Sequence, residues 1–419
     1  MTRMVVSLSA LILSIVLLVS GNAFLMTLLG IRLSIENVNA GTIGWVLVCY
    51  SVGFVAGTLF IHRIIGRVGH IRTFAVFAAV AAVASLLYPV AVSVIFWAFL
   101  RVLSGFSMAA LLVVIESWLS SRATNTNRGS LFALYQIVFY LAAAGGQLLV
   151  NVGDPASFLP FTITAVLLIL ALIPLGLTKM EAPKVEVVER MSFFTLVRES
   201  SSGVFGALIC GVLIGAFYTL GPVYATLVGL DVPSTSLFMS CAIISAMLLA
   251  WPVGFICDRF DRRRILMWVA LAGGLSSLAA TFLGPDNFWV LLVAVGLFTG
   301  LAANLYPIAV AITNDRMEHH RIVAASATLL LSYGIGSVIG PIVMAETVSL
   351  VGPDGLFFGN AAFLFVLTLI IWRQIRTTYD IPVTAQEHFV AASPQSSIVL
   401  AELDPRNEGF QKTRVEGET

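Results

Sequence analysis

Runs of about 20 apolar residues, the length of helix that crosses a bilayer, recur along nearly the whole 419-residue chain and are parted by short polar breaks. A bilayer core offers no water to backbone amides, so only helices and closed barrels span it. Barrel strands alternate apolar and polar residues over about ten positions, and these runs do not alternate. The chain is 11% charged, against about 25% in soluble domains. The sequence therefore predicts an all-α integral membrane protein with twelve transmembrane helices. They cover about 7–31, 42–65, 72–88, 94–119, 129–150, 157–178, 203–228, 235–257, 264–283, 288–312, 322–345 and 355–373. The third and fourth are divided only by a break near Tyr88-Pro89. The first run is too long for the apolar core of a signal peptide, about 7–15 residues, and reads as the first span.

Charge supports the count. With the N-terminus cytoplasmic, the cytoplasmic segments hold all but two of the 23 Lys and Arg residues, the exceptions being Arg32 and Arg101. That is the asymmetry the positive-inside rule expects. The opposite breaks carry Glu36, Asp154, Asp231, Asp286 and Asp354. Both termini are expected in the cytoplasm, and the short loops suit a bacterial inner membrane. A net charge of +1 provides no basic field for nucleic acid. Cys49, Cys210, Cys241 and Cys257 lie in or beside apolar runs, and the five histidines fall in polar breaks or the tail. No metal site or cofactor is predicted.

The longest break, Lys179–Ser202, splits the spans six and six. The expected organisation is a six-helix bundle over 1–178, a cytoplasmic connector over 179–202, a second bundle over 203–373, and a disordered cytoplasmic tail over 374–419. Ser192–Arg198 suits a short interfacial helix. The halves are related. Gly21 matches Gly215, Gly66 matches Asp258 and Gly146 matches Gly340, at offsets of 192–194 residues. One offset held across three spans marks an internal repeat, and two halves of like orientation are a known transporter plan.

Gly254-Phe-Ile-Cys-Asp258-Arg259-Phe-Asp261-Arg262-Arg263-Arg264 resembles the loop signature GxxxDRxGRR of the major facilitator superfamily, and Arg101-Val-Leu-Ser-Gly105 resembles the RxxxG of its fourth helix. IESWL at 115–119, NRGSLFALYQIVFYLAAAGGQLLV at 127–150, WPVGFICDRF at 251–260, LYPIAVA at 305–311 and HHRIVAASATLLLSYGIGSVIGP at 319–341 resemble its uncharacterised YcaD-like branch. The resemblance covers roughly residues 5–375 and implies the two-bundle fold, a monomer, and a latch of Asp258, Arg259 and Arg262 that holds helices together when the cavity faces outward. Asp261 stands where the family has glycine. In the first half Gly66 replaces the acid, so the halves are expected to gate asymmetrically. Gly336-Ser-Val-Ile-Gly340-Pro341 looks like the family's antiporter motif, on a different helix from the family's. GxxxG pairs suit close helix packing, and Pro174, Pro222, Pro252, Pro307 and Pro341 suit kinks.

Two charges lie inside the fourth span. Each costs about 2.5–3.5 kcal/mol at mid-bilayer. Arg101 either snorkels to the outer interface or faces the cavity as a cation for an anionic group. Glu116, about 22 Å further along the helix, either pairs with Arg122 or Arg128 or serves as a protonation site. The resemblance implies that the first helix of each three-helix unit lines the cavity, which makes Asn22, Arg101, Tyr218 and Asn304 candidate substrate contacts.

HExxH, GxSxG and GxxxxGK[ST] are all absent, which argues against an enzyme or an ATP-driven pump. The expected function is secondary active transport of a small molecule by rocker-switch alternating access, with proton-coupled export as its leading form. Proton-coupled uptake and a non-transporting sensor on the same fold are the alternatives. The expected partners are the lipid bilayer, protons and the small molecule.

Overall fold

Each apolar run closes its backbone hydrogen bonds within a helix. In the computed structural model, which describes residues 2–122, 127–177, 191–284, 287–318, 321–377, 381–387 and 389–390, twelve helical segments are long and apolar enough to cross a membrane. The first half contains α1 (Thr2–Ile35), α2 (Ala40–Val68), α3 (His70–Leu87), α4 (Val94–Arg122) and α5 (Arg128–Leu148), with a sixth span made of α6 (Leu159–Leu170) and α7 (Leu172–Gly176). The second contains α9 (Ser201–Leu227), α10 (Val232–Cys257), α11 (Arg262–Leu283), α12 (Phe288–Asn314), α13 (Ile322–Val351) and α14 (Gly355–Thr377). The short α8 (Phe193–Glu199) covers most of the expected interfacial helix. A 3-10 turn at Tyr88–Val90 ends α3 at the expected break.

The helix ends follow local chemistry. Asn39, Asp231 and Asn287 cap α2, α10 and α12, each side chain accepting backbone N–H bonds that the first turn leaves open. The sixth span breaks after Leu170, four residues before Pro174. That is the carbonyl a proline ring clashes with and whose bond it cannot supply. The other four expected kink prolines stay inside continuous helices.

The repeat is visible in the packing. A Cβ on Gly146 of α5 would meet the backbone of Ser20 on α1, and one on Gly340 of α13 would meet Val212 on α9. The two contacts are related by the same offsets of 192–194 residues. In the pair α2–α4 the glycine is Gly53, against Val102. In the matching pair α10–α12 it is Gly296, against Ser245, so the small residue has changed helix while the contact is kept. The first, fourth, seventh and tenth spans are the most buried of the twelve, at 61–78% of their apolar cores.

Successive spans reverse direction, so the polar breaks gather on two faces. One, here the basic face, carries Arg63, Arg67, Arg259, Arg262–Arg264 and Arg316; the other, the acidic face, carries Glu36, Asp154, Asp231 and Asp354. The halves meet closely toward the acidic face. A Cβ on Gly30 would come 3.0 Å from Pro222, and one on Gly41 3.2 Å from the Ser349 hydroxyl. Asn151 donates to the Ser236 hydroxyl at 2.8 Å, and Ser240 donates to the Ala144 carbonyl at 2.9 Å.

The expected disordered tail meets a different outcome near its start. The last helix continues to Thr377, and residues 381–387 and 389–390 fold back onto the basic face around the α10–α11 loop. Residues 179–190, half of the expected connector, and residues 391–419 lie outside the described residues.

Candidate functional site

A cavity of about 150 Å³ lies between the halves, lined from the middle stretches of several spans. Its walls come from α1, α2, α4 and α5 on one side and α9, α10 and α13 on the other. Asn22 and Tyr218 are among the lining residues, as expected, and Met108 and Leu112 line it from α4. Tyr140, Gln147 and Tyr333 add further polar groups; Gln147 is buried and accepts from Thr27 across α1 and α5. None of the lining residues is charged.

Arg101 is neither in the wall nor snorkelled. It is 1% exposed and sits one layer behind, with its guanidinium carbon 4.6 Å from the centroid of the Tyr50 ring. Its Nη2 lies 2.8 Å from Met26 Sδ and 3.4 Å from the Leu47 carbonyl, while Nε and Nη1 have no hydrogen-bond partner. Tyr50 and Met26 both line the cavity, so they are the partition between it and the cation. Among the described residues, the ionisable groups around Arg101 are Tyr88, Tyr50 and Cys49.

Glu116 is buried in the first-half core and accepts a 2.5 Å hydrogen bond from the Tyr135 hydroxyl of α5. It is one helical turn beyond Leu112 and does not line the cavity. The side chains of Arg122 and Arg128, its alternative partners, lie outside the described residues. About 22 Å of continuous helix separates Glu116 from Arg101, so the two do not pair. Asn304 also stands apart. Its amide donates to the Gly300 carbonyl at 2.7 Å and the Ala246 carbonyl at 3.4 Å, between α12 and α10. The tenth span supplies none of the cavity's lining residues, because α12 packs behind α9 and α10.

A smaller cavity lies toward the basic face and shares Phe54, Tyr333 and Ser337 with the central one. Those three side chains separate the central space from a vestibule floored by Met191 and Phe193.

In the α10–α11 loop the charges are divided. Arg262 is 1% exposed, and its Nη1 lies 2.6 Å from both carboxylate oxygens of Asp315 at the end of α12. Asp258 is the longer partner, at 3.7 Å. Arg259 turns away and lies 3.5 Å over the Phe255 ring. Asp261 accepts from the backbone N–H groups of Arg263 and Arg264 and so caps α11. Its φ of −55° does not call for the family's glycine. In the first half the matching residue is Gly69, at φ +85°, which makes a one-residue turn between α2 and α3. His70, the match to Arg262, rests against Trp118 at 5.8 Å. Among the described residues, the ion pair is found in the second half. Sequence reasoning missed Asp315 and Tyr50. An acid directly after the tenth span, and a phenol in the middle of an apolar run, were the available signals.

Comparison with known proteins agrees with this architecture. The family model described as Major Facilitator Superfamily matches residues 7–285 and 203–405. The uncharacterised MFS-type transporter YcaD of Salmonella typhi is 31% identical over 371 residues, which cover 87% of this chain and 94% of that protein. The YcaD of Salmonella typhimurium matches equally well. Among solved structures, the nucleoside transporter NupG superposes with a TM-score of 0.73 at 15% identity, covering 90% of this chain and 100% of that one. A bacterial homologue of the human lysosomal transporter Spinster, inward-facing and unoccupied, gives 0.72 at 15% identity over 91% and 98%. At such identities these structures speak for the fold alone. The family match, the YcaD relatives and the twelve-span architecture together place this chain in the major facilitator superfamily, as an integral membrane secondary transporter.

Proposed function

We propose that this transporter is a proton-coupled exporter, an antiporter, of a small molecule with an apolar body and an anionic group. The observation that carries the proposal is the buried guanidinium of Arg101, two of whose nitrogens lack a partner, behind the Tyr50–Met26 wall of an uncharged cavity. An unpaired buried cation is costly, and an anionic group that displaced the Tyr50 ring would relieve it. The apolar walls suit the rest of such a molecule. On this reading Asn22 and Tyr218 contact the substrate directly, and Asn304 orders helices.

Glu116 is the proposed proton carrier. In general, burial favours the neutral form of a carboxyl and solvent the charged one. A carboxyl whose access to water changes through the cycle would load and release a proton. The moving bodies are taken as residues 1–178 and 203–373, joined by 179–202, and the chain is taken to act as a monomer. The basic face is assigned to the cytoplasm of a bacterial inner membrane, and the loop of Asp258, Arg259 and Arg262 is assigned to gating.

The test is a thermal-shift screen of the purified protein in detergent, against metabolites and drugs at two pH values. A ligand that binds the native state raises apparent stability by mass action. Anionic hits that stabilise the wild type and not Arg101→Ala, with a pH-dependent shift, are the expected result. Hits indifferent to Arg101 would overturn the assignment of the site. Flux of a hit against an imposed pH gradient then separates antiport from uptake by symport.

A further inference from the structure

The part of the tail that folds back, residues 381–387 and 389–390, is bound through the same residues that make up the α10–α11 loop motif. The Phe389 N–H donates to Asp258 Oδ1 at 2.7 Å. The Glu387 carbonyl accepts from Arg262 Nη2, and the Glu387 N–H lies 3.4 Å from Asp315 Oδ1. The Phe389 ring covers Gly254, where a Cβ would come 2.8 Å from its Cδ1. Further back, Ile381, Pro382 and Val383 line a groove with Phe260 and Trp268. Phe389 packs against the core cluster that holds Val253 and Cys257, while its neighbour Val390 packs against a second cluster whose buried residues come from the first half except for Ile243 of α10. Of two adjacent tail residues, one therefore touches α10 of the second half and the other a cluster drawn mostly from the first, on the face opposite the one where the halves are closed.

We propose that this segment is a strap that restrains the transporter from within. Opening the acidic face requires the halves to close toward each other on the basic face, where Phe389 and Val390 stand between them. The strap also occupies hydrogen-bonding positions on Asp258, Arg262 and Asp315, and those positions are freed only when it leaves. Its detachment is then a condition for the acidic face to open, and the tail sets the rate of the cycle. The proposal rests on the alternating-access reading.

Hydrogen–deuterium exchange of the purified full-length protein tests it without a known substrate. The variants are a chain ending after Thr377 and, in case that chain fails to fold, Phe389→Ala in the full-length protein. A third, Gly44→Val, wedges α2 from α13 at the acidic face, where even a Cβ would meet the Ala345 side chain. The readout is exchange at the acidic-face ends of α1, α2 and α13. This is remote from the strap: α10, whose far end reaches that face, is 26 residues long, about 39 Å. Both strap variants are expected to speed exchange there at least threefold, and so is Gly44→Val. Faster exchange confined to the α10–α11 loop would overturn the strap and leave alternating access standing. No change at the acidic face in any of the three variants would overturn both.

Discussion

Arg262 and Asp315 form an ion pair at 2.6 Å whose side chains are 1% and 5% exposed, and it joins the start of α11 to the end of α12. Asp258, the acid of the sequence motif, is 31% exposed and lies 3.7 Å from the same arginine. Removing one partner of a buried pair costs about 3–5 kcal/mol, because the other charge stays buried. Asp315→Asn is therefore expected to lower the melting temperature strongly. Asp258→Asn is expected to leave stability and ligand affinity near wild type and to slow turnover. Equal melting temperatures for the two variants would put the structural weight back on Asp258.

Arg101 leads to a prediction in which stability and function part company. A cation at mid-bilayer costs about 2.5–3.5 kcal/mol on insertion scales, and Arg101 has Tyr50, Met26 and the Leu47 carbonyl to offset it. Arg101→Met, which keeps much of the volume, is expected to melt at or above the wild-type temperature and to lose ligand-induced stabilisation. Tyr50→Leu is expected to cost about 2 kcal/mol through the lost cation–π contact, and Tyr50→Phe much less. Melting curves with and without a hit compound check all three.

Glu116→Gln is expected to fold, since an amide can still accept from the Tyr135 hydroxyl, and to lose exchange driven by a pH gradient while keeping counterflow. Tyr135→Phe removes a hydrogen bond to a carboxyl that, when charged, is worth about 1.5–3 kcal/mol. It is expected to shift the pH dependence of transport without abolishing it. Wild-type coupling in Glu116→Gln, measured in proteoliposomes, would remove Glu116 from the mechanism.

Close helix approach can be tested at a matched pair of glycines. A Cβ on Gly53 would lie 2.9 Å from Val102 Cα, whereas one on Gly145 has nothing within 4 Å. Gly53→Ala is expected to destabilise by about 1–3 kcal/mol or more, as overpacking does. Gly145→Ala is expected to be neutral or slightly stabilising, because alanine is the better helix former. Thermal melts in one detergent check the pair.

The fold was legible because its causes are local. The length of each apolar run, the side on which each arginine falls and the spacing of Gly146 and Gly340 are all properties of the chain as written. The site was less legible, because a cavity depends on which helices touch. Asn22 and Tyr218 came out among the lining residues, while Asn304 was turned aside by carbonyls of α10 and its own helix that no spacing reveals. Arg101 was readable as a costly charge, but its seat behind Tyr50 depends on α2 crossing α4 at Gly53 and Gly105. Asp315 and the docking of Phe389 were hidden for a different reason. Both are contacts between segments far apart in sequence, and the apolar residues Ile381, Val383, Phe389 and Val390 do not by themselves name the surface they meet.

The unpaired charge of Arg101 also has an electrical side. In the proposed alternating-access cycle it would travel with α4, and water would reach the cavity beside it from one face and then the other. The share of the membrane voltage that falls across that fixed charge therefore differs between the two arrangements. A full elementary charge moved through the whole field is worth about 2.3 kcal/mol per 100 mV, so even a modest fraction tilts the balance between them. An empty carrier of this design would rest preferentially on one side of an energised membrane, and its turnover would sense voltage even with an electroneutral cargo.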